Sequence, residues 1–80
     1  MKTYNGHRSW NSWNVALWIG NDESIYRFAM ECIAGVNKNK LGLTFATIRF
    51  MNKFQGQKTP DGAKYNHLSV KLCLQAFIDD

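Results

Sequence analysis

The clearest spacing in the chain lies between residues 25 and 36. Ile25, Phe28, Ala29, Cys32, Ile33 and Val36 recur at i, +3, +4, +7, +8 and +11, which predicts a helix with one apolar stripe. Asn21 or Asp22 can cap it. Asp22 and Glu23 also suit the positive end of its dipole. It is expected to end near Gly35-Val36-Asn37. A shorter helix is predicted just before it, over residues 12–19, capped by Asn11 or Ser12. Trp13, Ala16 and Leu17 share a face, and Gly20 supplies a left-handed residue to end the helix. Trp10 falls just ahead of the cap, and Trp18 is rotated away from Trp13. Residues 1–9 read as an irregular lead-in with a turn at Asn5-Gly6.

The second half is ambiguous. "LTFATIRFMNKF" fits a helix capped by Thr44, with Phe45, Ile48 and Met51 inward and Arg49 and Lys53 outward. It also fits a strand, because Leu41, Leu43 and Phe45 alternate. "QGQKTPDGAKYN" reads as a loop with Pro60-Asp61-Gly62 as its tight turn. In "HLSVKLCLQAFIDD", Leu68, Val70, Leu72, Leu74 and Ala76 alternate like a strand. With Ser69 as a cap, Val70, Cys73, Leu74, Phe77 and Ile78 instead form one helical face. Asp79 and Asp80 would sit at the unfavourable end of such a helix. Pattern alone leaves two architectures open: an all-α domain of about four short helices, or an α+β domain with residues 41–50 and 68–78 as strands.

Size sharpens the problem. Eighty residues make one domain, residues 1–80, in which the core is thin and each large aromatic matters. No apolar run approaches the roughly 18 residues of a membrane span. "MKTYNGHRSW" has one early Lys and no apolar stretch, unlike a secretory signal, so a cytoplasmic location and no membrane partner are expected. Cys32 and Cys73 each lie in an apolar pattern, which favours buried reduced thiols. With His7 and His67 they lack the paired spacing of a zinc site, so no metal and no cofactor are expected.

Three tryptophans, Trp10, Trp13 and Trp18, fall within nine residues. A tryptophan buries about 200 Å² and can serve a small core or anchor a binding surface. Trp13 is expected in the core. Trp10 and Trp18 cannot both share its face, so at least one should reach the surface. Asn5, Asn11, Asn14 and Asn21 suit caps and turns, and Asn14, inside the helix, is the exception that could contact a partner. The net charge is +4, and only Asn37–Lys40 is locally dense in basic residues. Lys38, Lys40, Arg49 and Lys53 form a candidate nucleic-acid surface, without a helix-turn-helix, zinc-finger or RNP-type signature. The acids look like helix-start, turn and end residues. No nucleophile motif or phosphate-cradling glycine loop occurs, so no catalytic residues are assigned and an enzyme is not expected.

"YNG" followed by "SWNSWNVALWIGNDE" resembles the head of a family of small phage and mobile-element proteins of no settled activity. That head reads approximately Y-N-G-W-x-N-Y-x-T-W-N-V-A-L-W-x-x-N-D-E. Ser24-Ile25-Tyr26-Arg27-Phe28-Ala29 matches in style the x-L-Y-x-L-A that follows it. Asp61-Gly62-Ala63-Lys64-Tyr65 stands where members often carry D-G-V-x-W before a final helix. The match is specific over roughly the first 30 residues. It departs at His7 for Trp, Trp10 for Tyr and Ser12 for Thr. The resemblance implies an all-helical fold and a phage or mobile-element origin, and it carries over no catalytic residues. The expected core is then Trp13, Leu17, Ile25, Phe28, Ala29, Cys32, Ile33, Phe45, Ile48, Leu72, Cys73 and Phe77. The function expected is that of a non-enzymatic accessory protein. It would bind a host protein or complex through Arg8, Trp10, Asn14, Trp18 and Arg27, as in host takeover or an anti-CRISPR-like inhibition. A small basic nucleic-acid-binding protein is the alternative.

Overall fold

The computed structural model describes residues 9–79. The expected turn at Asn5-Gly6, along with His7 and Arg8, lies outside them. Four helices follow in order: α1 (Trp10–Asn21), α2 (Glu23–Ile33), α3 (Lys40–Phe54) and α4 (His67–Asp79). The fold is all-α, and both contested segments, 41–50 and 68–78, are helical. The one strand-like pairing among the described residues is an isolated bridge between Lys58 and Lys64.

Each helix begins where a short polar side chain can meet its unpaired amides, though often not at the expected residue. Ser9 caps α1, accepting from the Ser12 amide at 3.1 Å, so α1 starts before the predicted Asn11 or Ser12. Gly20 does not end α1. The helix runs through it to Asn21, and the backbone turns at Asp22 instead. Asp22 serves both neighbours: its amide donates to the Trp18 carbonyl at 3.0 Å, and its carboxylate accepts from the Ile25 amide at 3.1 Å. One residue therefore makes the whole corner. Helix α2 stops at Ile33, with Gly35 in the left-handed region at φ 77°.

Helix α3 starts a full turn ahead of Thr44, because Asn39 accepts from the Gly42 amide at 2.8 Å. Thr44 and Thr47 donate their hydroxyls to the Lys40 and Leu43 carbonyls one turn back, so both polar groups are paired within the helix. Asn66, not Ser69, caps α4, accepting from the Ser69 amide at 2.8 Å.

Packing runs around a ring. α2 and α4 each lie against both α1 and α3, whereas α1 and α3 do not pack on each other. The loop between α3 and α4 fills the space between them. Its buried residues are Thr59, Ala63 and Tyr65, and the chain reverses through Gly62 at φ 96°. Tyr65 closes an aromatic cluster: the Phe50 and Phe54 rings stack at 4.6 Å, Tyr65 lies 4.9 Å from Phe54, and Phe28 lies 5.5 Å from Phe50. Phenylalanine, not tryptophan, forms the aromatic centre. Trp13 is only half-buried and Leu17 is exposed. The largest correction concerns α3. Phe45 and Ile48, expected inward, are exposed, and Leu43, Ala46, Thr47, Phe50 and Phe54 are buried in their place. A helix in so thin a domain can bury one stripe. The stripe carrying two stacking phenylalanines and abutting Phe28 and Tyr65 removes more apolar surface from water. Val15, Ile19, Val70 and Leu74 complete the centre, with Cys32 and Cys73 as buried free thiols.

Candidate functional site

Of the residues expected to contact a partner, Arg8 lies outside the described residues. Trp10 opens α1 and is 40% exposed, so its ring is available. Arg27 is exposed and pairs with Glu23 one turn back on α2. Asn14 does not fit the expected role. It is buried, and both ends of its amide are engaged inside the chain. Its Nδ2 donates to Asp61 at 2.9 Å, and its Oδ1 accepts from the Thr59 hydroxyl at 2.6 Å. Trp18 is half-buried and donates its indole N–H to the same Asp61 oxygen at 2.9 Å.

These bonds belong to a longer polar seam. Asn11 donates to the Lys64 carbonyl at 2.9 Å and accepts from the Lys64 amide at 2.8 Å. It also donates to the Ser69 hydroxyl, which lies 3.2 Å from that of Ser12. The segment "SWNSWNVALW" is thus stitched to the turn "PDGAKY" and to the start of α4. The two stretches that carry the family resemblance hold each other. The Asn14 amide and then the Trp18 indole keep the Asp61 carboxyl below the usual carboxylate range. Among the described residues, no buried side-chain nitrogen or oxygen lacks a partner. The seam is closed on itself, its buried polar groups bonded to one another across α1, the loop and α4.

The outer side of α3 is different. At 100° per residue, Leu41, Phe45 and Ile48 fall on one line, opposite the buried stripe. They are 63%, 52% and 45% exposed. The 34–39 connection lies along this face, forming with it an apolar cleft of about 330 Å³ lined by Val36, Leu41, Phe45, Ile48 and Arg49 among others. Its closeness depends on Gly42: a Cβ there would stand 1.7 Å from the Asn37 carbonyl oxygen.

All four residues of the candidate nucleic-acid surface flank this face. Arg49 and Lys53 lie on the α2 side. Arg49 donates to the Cys32 carbonyl at 3.3 Å, and the Lys53 ammonium sits 4.5 Å from the centre of the Phe28 ring. Lys38 and Lys40 lie on the other side, lining a hollow with Asp79 and Ile78 at the end of α4. The charge distribution is lopsided. Residues 32–60 contain Lys38, Lys40, Arg49, Lys53 and Lys58 and no acid. That stretch carries +5, leaving −1 for the rest of a +4 chain. Sequence reasoning found these cations but missed the apolar line between them. The i, i+4, i+7 spacing was legible, but it read equally well as a core stripe.

Neither thiol is poised for chemistry. Burial pushes Cys32 up, and pushes Cys73 up to about 12. Among the described residues, no three His, Cys, Asp or Glu side chains come together as metal ligands, and no helix is long and apolar enough to cross a membrane. A model for DUF7249, a family of unknown function, matches residues 1–80. No curated protein and no solved structure matches the chain.

Proposed function

Because the chain belongs to DUF7249, whose function is unknown, we propose from its own surface that it is a non-enzymatic binding protein that acts by occupying a site on a host macromolecule. The observation that carries this reading is the outward line of Leu41, Phe45 and Ile48, three large apolar side chains left in water along one helix. A small domain gains by burying such groups. A line of them rimmed by charge is a common mark of an interface. Trp10 offers a second exposed ring on α1 and Arg27 an exposed cation on α2. The resemblance of the segment from Tyr4 to Glu23 to phage and mobile-element proteins supports the biological setting. In that setting the protein is a phage accessory protein of the bacterial cytoplasm, and its steric action serves host takeover or an anti-defence, anti-CRISPR-like inhibition.

The lack of acids between residues 32 and 60 favours a second reading, in which Lys38, Lys40, Arg49 and Lys53 contact nucleic-acid phosphates. One experiment separates the two. Tagged protein is used to capture partners from bacterial lysate, with and without nuclease, alongside a Phe45→Glu variant. The protein-binding reading expects a discrete protein that survives nuclease and is lost with Phe45→Glu. Recovery that vanishes with nuclease and persists in Phe45→Glu would move the function to nucleic acid.

A further inference from the structure

We infer that the outer face of α3 receives an amphipathic helix of a partner protein, apolar along its seam and acidic on both flanks. The inference rests on the reading of α3 as the interface and adds the partner's chemistry. Three features lead to it.

The first is the backbone. Within α3 the amides and carbonyls bond one another, and Asn39 satisfies the Gly42 amide at the start. The face therefore offers an extended peptide few groups to pair with. A partner burying itself here must satisfy its own backbone, which a helix does and an added strand does not. The second is spacing. Leu41, Phe45 and Ile48 sit at i, i+4 and i+7, the repeat with which two helices interdigitate at a shallow crossing angle. The 34–39 connection supplies a side wall, with Val36 contributing to the apolar lining.

The third is charge. The apolar line has cations on both flanks, Arg49 and Lys53 on one and Lys38 and Lys40 on the other, all exposed. A second copy of this chain would bring the same cations against them, so like charges oppose self-association. Acidic flanks would pair with both sides at once. Nucleic acid fits less well: Leu41 and Ile48, two of the three central side chains, have no π face on which a base could stack.

The test is a displayed library of helical peptides about 20 residues long, with leucine fixed at heptad positions a and d and the e and g positions varied among Glu, Lys and Gln. Selection on the whole protein should enrich Glu at e and g. The enriched peptide should bind more weakly as salt rises, lose at least about 30-fold in affinity with Phe45→Glu, and be unaffected by Lys58→Ser in the distant loop. Phe45 and Ile48 are exposed, so Phe45→Glu and an independent Ile48→Glu should both keep the wild-type circular dichroism. Enrichment of Lys or of no charge overturns the inference, as does peptide binding indifferent to both variants. So does Phe45-dependent binding of labelled oligo-dT or phosphatidylserine vesicles in place of peptide. A lysate partner lost with Phe45→Glu while the library fails would leave the α3 interface standing and remove the acidic helix. A lysate protein partner kept by Phe45→Glu would remove the interface itself.

Discussion

At the scale of single residues, Asp61 has more to do than a turn requires. Its carboxylate accepts from both Asn14 and Trp18 and joins the loop to α1. Those bonds depress its pKa in the folded state. Its stabilising contribution is therefore complete above the ordinary carboxylate value of about 3.9 and is lost as pH falls through the depressed value. Asp22, held down first by the Ser24 hydroxyl and then by the Ile25 amide, has the same sign. Asp61→Asn should lower the melting temperature at pH 7 and lose less than the wild type on acidification to pH 3. Thermal unfolding at the two values checks this, and equal losses would contradict the role. Glycines at two helical positions should respond in opposite directions. Nothing lies within 4 Å of a Cβ at Gly20, so Gly20→Ala should stabilise α1 by about 0.5–1 kcal/mol. Gly42→Ala would drive a methyl into the Asn37 carbonyl and should destabilise by roughly 1–3 kcal/mol in urea titration.

At the scale of elements, α3 is where the sequence is hardest to read. It carries two apolar stripes of similar strength, and periodicity records only that a stripe exists. The buried one is decided by residues far away in sequence: Phe28 on α2 and Tyr65 in the loop, which together surround Phe50 and Phe54. Helix α2, with a single stripe, was legible from its Asp22 cap to Cys32, although it stops at Ile33 and not near Gly35-Val36-Asn37. On α4 the helical face through Val70, Cys73 and Leu74 was legible, but the expected core held Leu72 and Phe77, which are half-buried, in place of Val70 and Leu74, which are fully buried. The reversed face of α3 also hides the candidate site from the sequence, because periodicity alone places Phe45 and Ile48 inward. Phe50→Ala should destabilise by about 3–5 kcal/mol, whereas Phe45→Ser should change stability by no more than about 0.5 kcal/mol. Chemical denaturation of both variants tests the assignment, and a reversed order would restore Phe45 to the core.

At the scale of the whole molecule, the two cysteines report on cooperativity. Cys32 on α2 and Cys73 on α4 are buried, and burial keeps both thiols protonated near neutrality. Both should resist a thiol reagent at pH 8 in the native protein and become reactive together as urea unfolds it. Labelling followed by mass spectrometry reads the two sites separately. Modification of one well before the other would show that the ring of helices opens in parts.

The polar seam has a consequence for how the protein is made. Asn11 and Ser12, near the start of the chain, close onto Ser69, 58 and 57 residues further on, and Asn14 closes onto Asp61. While the chain is still being synthesised, α1 therefore waits until residues 59–69 have emerged before its inner polar groups have their partners to hold. A product ending before α4 would keep Thr59, Asp61 and Lys64 but lose Ser69 and the α4 surface against which α1 packs.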